Sequence, residues 1–161
     1  SIMVNESGTA GAGYQMGMRG APAHSFLALT GGSIGYGIPA SVGAAVACPD
    51  RKVLSMQADG AGMYTLQGLW TQVREALDIT TVIFANRKYA ILQYEFDRVG
   101  AHNPGPKAMS MLDLGNPDLD WVSLAQGMGM PATRATTADE FNVAMVASLA
   151  EPGPSLIEAL I

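Results

Sequence analysis

Two apolar runs of strand length constrain this chain more than any other feature. Residues 53–57 (Val-Leu-Ser-Met-Gln) and 79–85 (Ile-Thr-Thr-Val-Ile-Phe-Ala) are nearly continuous rather than alternating, the pattern of strands covered on both faces. Between them Leu66, Leu69, Trp70, Val73 and Leu77 recur at helical spacing, which predicts an amphipathic helix over 64–77. A strand, a helix and a second strand in that order make a parallel crossover unit. The alternation continues on both sides. A short strand at 2–4 ends at Asn5-Glu6-Ser7-Gly8, and a Gly-rich loop runs to about 23. A second strand follows at 26–29, then a small, Ala-rich helix over 38–48 with Pro39 in its first turn. After 85 the pattern predicts a helix at 89–96 and a loop over 103–117. Trp121, Leu124, Ala125 and Met128 mark a helix from about 118, followed by a short strand at 132–135. Thr137 and Glu140 have capping-box spacing at the head of a helix reaching 149, and 155–160 is a final strand. The expectation is an α/β fold: a doubly wound, mainly parallel sheet with helices on both faces.

At 161 residues the chain is about one domain, 1–161, long enough to hold a core without disulfide staples. Charged residues are only 14%, against roughly 25% in soluble domains generally. So little charge on a Gly- and Met-rich chain predicts a surface hidden against other protein: an obligate oligomer, or a domain or subunit of a larger enzyme. The net charge of −5, with basic residues scattered, argues against nucleic acid. Cys48 is alone, and a reducing cytoplasm is the expected compartment. No basic-then-apolar leader is apparent, and no apolar run reaches the ~18 residues that cross a membrane.

Ligands in such folds bind at the carboxyl ends of strands. One strand end carries Ala58-Asp59-Gly60-Ala61, and the next carries Asn86, 27 residues after Asp59. A carboxylate and an amide oxygen side by side suit magnesium, which takes one or two protein oxygens plus phosphate and water. A backbone carbonyl just beyond Asn86 offers a third oxygen. Gly60 and Ala61 open the following helix, where free N–H groups hold phosphate. Each residue alone is an ordinary turn or strand-end residue; the pair, joined by a strand-helix-strand unit, points to a magnesium-diphosphate cofactor.

The stretch Gln57-Ala58-Asp59-Gly60, the interval and Ala85-Asn86 resemble the thiamine diphosphate motif usually written GDG followed by NN. Gly32-Ser33-Ile34-Gly35-Tyr36 is similar to the family segment that holds the aminopyrimidine. The runs from Pro117 to Ala125 and from Gly153 to Glu158 match as well, so the resemblance covers nearly the whole chain. The family is the C-terminal cofactor-binding domain of acetolactate synthase and benzoylformate decarboxylase-like enzymes. The resemblance implies that Asp59, the Asn86 side chain and the Lys88 carbonyl bind Mg2+. It implies that Gly60 and Ala61 donate N–H groups to the diphosphate of thiamine diphosphate. Gly32 would accept from the cofactor's 4′-amino group, with Ser33 beside it. Ile34 would wedge beneath the thiazolium, although an isoleucine is also ordinary core. Glu6, Ser7 and Thr9 resemble the loop that reaches the diphosphate. Tyr64 and Tyr89 are placed to line the same pocket, with Tyr64 equally suited to helix packing. The family's activating glutamate lies in a separate pyrimidine-binding domain of the same or another chain, and no catalytic residue is assigned within this one.

The implied activity is a 2-oxo acid decarboxylase or carboligase, acetolactate synthase-like, converting two pyruvate to acetolactate and carbon dioxide in a homodimer or homotetramer. A benzoylformate decarboxylase-like enzyme that does not ligate is the alternative. Two departures, Ala58 for the first glycine and Ala85 for the first asparagine, motivate a further rival, a degenerate binding or regulatory homologue. A nicotinamide-binding reading of Gly11-Ala12-Gly13 and Gly17 fails its own test. It wants an acidic residue at the end of the next strand, which ends instead at Leu29-Thr30-Gly31. His24 and His102 match no motif.

Overall fold

The computed structural model describes residues 1–161, the side chain of Gln15 excepted. Its strands are β1 (Ile2–Glu6), β2 (Ser25–Ala28), β3 (Val53–Ala58), β4 (Ile79–Ala85), β5 (Ala132–Ala135) and β6 (Ser155–Leu160). They form a six-stranded sheet in the order β2-β1-β3-β4-β6-β5, and every neighbouring pair is parallel. A 3-10 turn, Gly8–Gly13, and α1 (Tyr14–Gly17) follow β1, and α2 (Gly37–Ala47) follows β2. Between β3 and β4 lie α3 (Asp59–Tyr64) and α4 (Gly68–Arg74). Then come α5 (Ala90–Arg98), α6 (Pro106–Ser110), α7 (Trp121–Gly127) and α8 (Ala138–Ala150). No helix among the described residues is long and apolar enough to cross a membrane.

The alternating pleat sends side chains to two different cores. On one face Ile38 of α2, Leu69 of α4 and Trp121 and Ala125 of α7 pack with Ile83 and Leu156. Ala45 of α2 meets Ile2, Val4, Val53 and Ile79 on that same face. On the other face Met56, Val82 and Ile157 are covered by Phe141, Ala144 and Met145 of α8, with Tyr14 of α1 at the margin. The predicted doubly wound sheet is therefore present, and it is wholly parallel.

Three expectations need correction. The helix predicted over 64–77 is shorter, α4 at Gly68–Arg74, and a separate helix, α3, ends at Tyr64, with the chain breaking between them at Thr65, whose φ is −139°. The break lets the Thr65 hydroxyl donate to the Gly35 carbonyl at 3.0 Å, and it brings α4 against α2, where Gly68 faces Ile38 with no room for a side chain. The loop predicted over 103–117 contains α6, started by Pro106 in its first turn. The Gly-rich loop after β1 holds a 3-10 turn and α1; both are too short to show a periodic pattern.

The capping box of α8 forms as the sequence predicts. The Glu140 N–H donates to the Thr137 hydroxyl at 3.2 Å, and Glu140 accepts from the Thr136 and Thr137 N–H groups. These bonds, the Thr136 N–H first, hold the Glu140 carboxyl below its ordinary 4.5. Their contribution is therefore complete above that value and is lost as pH falls through the lower, folded one. Thr137→Ala is expected to cost about 1 kcal/mol. Urea denaturation at neutral pH measures that loss, and the gap between wild type and variant should narrow in acid.

Candidate functional site

The winding of the chain through the sheet reverses between β1 and β3. The chain leaves β1 for the outer neighbour β2, then crosses back to β3 and continues to the other side. A crevice is expected outside the carboxyl ends at such a switch point. A cleft of about 810 Å³ opens there, bordered by the ends of β1, β2, β3 and β4.

Asp59 and Asn86 both line it. Asp59 follows β3 directly and is 2% exposed. One carboxylate oxygen accepts the Gly60 N–H at 2.8 Å, and the other accepts the Arg87 N–H at 2.7 Å. Arg87 can turn that N–H inward because its φ is +58°, a left-handed conformation uncommon for a side-chain-bearing residue. The Asn86 side-chain oxygen accepts from the Lys88 N–H at 3.1 Å, closing the same turn. Burial pushes the Asp59 carboxyl above its ordinary 3.8, against the pull of the backbone N–H groups of Arg87 and Gly60. No basic side chain among the described residues pairs with Asp59. A buried carboxylate that faces a cleft without a counter-charge fits a cation. Grouped His, Cys, Asp and Glu ligands are absent among the described residues. What the cleft offers instead is one carboxylate, of Asp59, and one amide oxygen, of Asn86, hard oxygen donors of the kind magnesium takes.

Gly60 and Ala61 open α3 and line the cleft. A Cβ at Gly60 would strike the Tyr89 ring, so the ring as placed packs directly on the glycine. Tyr89 lies beside Tyr64, and burial, that neighbour and Asp59 raise its phenol. Both tyrosines line the cleft, as do Thr9, Lys88, Gly32 and Ile34. Ile34 is 45% exposed, so it is not core. Ser33 is not among the cleft-lining residues, unlike its neighbours. Gly31 and Gly32, both at φ +66°, and Gly35 at +88° let the loop turn on either side of it.

Glu6 and Ser7 line the cleft, but their polar atoms are already engaged. Glu6 accepts the Gly35 N–H at 2.7 Å and the Gly37 N–H at 2.5 Å. Ser7 donates its hydroxyl and its N–H to the Asn5 side chain at 2.6 and 3.1 Å. The two alanines are accommodated. Ala58 has φ −79° and ψ 151°, ordinary extended backbone. Ala85 is buried in the sheet, and its carbonyl accepts from the Ile161 N–H. His24 and His102 lie outside the cleft. Sequence reasoning missed its apolar wall: Leu29, Ile91 and Leu92 of α5, and Met111 with Leu112. The adjacent pair Ile91-Leu92 at the head of α5 was the available signal.

Fold and cleft together define an α/β domain with a cofactor-sized cleft at the carboxyl ends of its central strands. The chain belongs to the thiamine pyrophosphate enzyme family, as its C-terminal, TPP-binding domain: that family's model matches residues 7–159. The chain is 56% identical, over its whole length, to a Mycobacterium tuberculosis protein provisionally named acetolactate synthase large subunit IlvX, of which it covers 32%. It is 33% identical to the benzoylformate decarboxylase of Pseudomonas aeruginosa, matching 98% of this chain and 29% of that one. Among solved structures, the thiamine diphosphate-dependent 4-hydroxybenzoylformate decarboxylase of Rhodococcus jostii RHA1 superimposes with a TM-score of 0.84 at 30% identity. That match covers 98% of this chain and 29% of that one. The chain thus spans about a third or less of the relatives it matches.

Proposed function

We propose that the cleft binds thiamine diphosphate through Mg2+ held by the Asp59 carboxylate, the Asn86 side-chain oxygen and the Lys88 carbonyl. The observation that carries this reading is Asp59 itself, buried and without a basic partner, facing a cleft shared with Asn86. Ala61, in the first turn of α3, offers its N–H to the diphosphate, and Gly60, whose own N–H is held by Asp59, lets the ligand approach the backbone, with Thr9 lining the same cleft. Tyr64 and Tyr89 wall that end. Gly32 accepts from the aminopyrimidine, Ser33 shapes the turn, and Ile34 supports the thiazolium. When bound, the cofactor supplies the nucleophilic carbon that attacks a 2-oxo acid and releases carbon dioxide. This chain's residues bind it, orient it and keep water from its apolar side.

The exposed side chains beside the cleft, Tyr64, Ile91, Leu92 and Met111, make an apolar rim suited to a pyrimidine-binding domain of the same or another chain. In a homodimer or homotetramer with that domain, the reaction is acetolactate synthase-like, joining two pyruvate with loss of carbon dioxide. The 56% identity to the mycobacterial relative favours this over simple decarboxylation. The likeness to two benzoylformate decarboxylases supports the decarboxylase as the second reading. Ordinary backbone angles at Ala58 weigh against a degenerate site.

Calorimetric titration of thiamine diphosphate into the native assembly, with and without magnesium, tests this reading. Binding that requires magnesium is the expected result. Binding indifferent to magnesium, or none, would refute it.

A further inference from the structure

We propose that Glu6 is a positioning residue: it anchors the glycine turn that carries Gly32 and Ile34, and so sets the ring end of the cleft. This rests on the cofactor reading above. Glu6 is the last residue of β1 and is 6% exposed. Its two carboxylate oxygens accept from Gly35 and Gly37, 29 and 31 residues away in sequence. Inward N–H groups of a turn with left-handed residues form a concavity suited to an anion, and here a side chain of the protein fills it.

The arrangement performs two tasks. Gly37 is the first residue of α2, whose N-cap residue Tyr36 makes no side-chain cap bond. Glu6 supplies the missing acceptor and places negative charge at that helix start. Gly35 is gripped from both sides, its N–H by Glu6 and its carbonyl by the Thr65 hydroxyl at 3.0 Å. Ile34 directly precedes this double anchor. Nearly half exposed, Ile34 has too little packing of its own to fix its position. The backbone on either side must do so. Glu6 therefore acts on the ring end of the ligand rather than as a contact to the diphosphate, whose charge it would oppose.

The test separates the two ends of the ligand. In the native assembly, Glu6→Gln keeps an acceptor for one N–H group and turns an amide donor toward the other. Affinity for thiamine diphosphate with magnesium is expected to fall about ten- to a hundredfold. Affinity for inorganic diphosphate with magnesium, which lacks the rings, should stay within about twofold of wild type, well under the effect of one hydrogen bond. Equal loss of both ligands would make Glu6 merely structural, and no loss of either would remove the role; each result overturns the proposal. Hydrogen exchange at the Gly35 and Gly37 amides of the wild-type protein needs no variant. Protection is expected, and rapid exchange overturns the anchor even if Glu6→Gln fails to fold. If wild type binds no thiamine diphosphate, the cofactor reading falls and the positioning role falls with it, whatever the amides show.

Discussion

Asp59→Asn is expected to abolish magnesium-dependent cofactor binding, with a loss of at least about a hundredfold in affinity. The magnitude follows from the ligand's rank: residues that only orient a metal ligand already cost about 10- to 100-fold when removed. The asparagine keeps the shape but removes the only side-chain charge proposed to face the cation. The apo variant should stay folded, because one of the two N–H groups of Gly60 and Arg87 keeps its oxygen acceptor and a buried charge is removed. Thermal melts then give the cleanest readout: magnesium and thiamine diphosphate together should raise the wild-type transition and leave that of the variant unchanged. The pH dependence has a definite sign. Burial raises the Asp59 carboxyl above its ordinary 3.8, so the folded chain keeps this proton to higher pH than the unfolded chain does. Without metal, Asp59 therefore lowers stability as pH rises through that window, and the variant lacks this decline. Proton and cation compete for the same oxygens, so magnesium affinity should fall on acidification at a higher pH than for an exposed aspartate. An equal, ligand-induced rise in both proteins would remove Asp59 from the site.

The sheet was legible because buried parallel strands write themselves as apolar runs. Residues 53–57 and 79–85 appear in the structure as β3 and β4 with nearly the same limits. The adjacency of Asp59 and Asn86 followed from that register, in which Ala58 pairs with Phe84. Thr137 and Glu140 were readable for a similar reason, since a capping box is local chemistry at fixed spacing. Long-range contacts were not readable. The break after α3 answers to Gly35 and Ile38, contacts made across the fold by Thr65 and Gly68 that no local pattern records. Glu6 looked like a member of a phosphate loop because it stands beside Ser7 and Thr9. Only the approach of Gly35 and Gly37, some thirty residues on, shows where its oxygens go. The apolar wall was hidden because α5 has no buried residue, so Ile91 and Leu92 break the usual link between apolar and internal.

Trp121→Ala should destabilise the fold by about 3–5 kcal/mol, the range for removing a large aromatic from a core. Trp121 is fully buried at the start of α7 and packs with Ile38, Leu69, Ile83 and Leu156, so it joins three helices to the sheet. Domains of this size hold about 5–15 kcal/mol in total, so the loss should move the urea midpoint far toward zero. Trp121→Phe should cost much less, because most of the ring volume remains and the indole N–H, which is buried without a partner, is removed. The effect should also reach the cleft. The indole lies against Gly62, so close that no Cβ fits between them, and Gly62 stands three residues beyond Asp59 in α3. Removing the ring takes away the floor on which the first turn of α3 rests, and with it the fixed placement of Asp59, Gly60 and Ala61. Trp121→Ala is therefore expected to weaken magnesium-dependent cofactor binding although Trp121 does not line the cleft, and Trp121→Phe, whose ring stops short of the indole edge that touches Gly62, to weaken it less. If both variants bind as wild type does while only the alanine is unstable, the packing of α3 on Trp121 supports the fold without positioning the site.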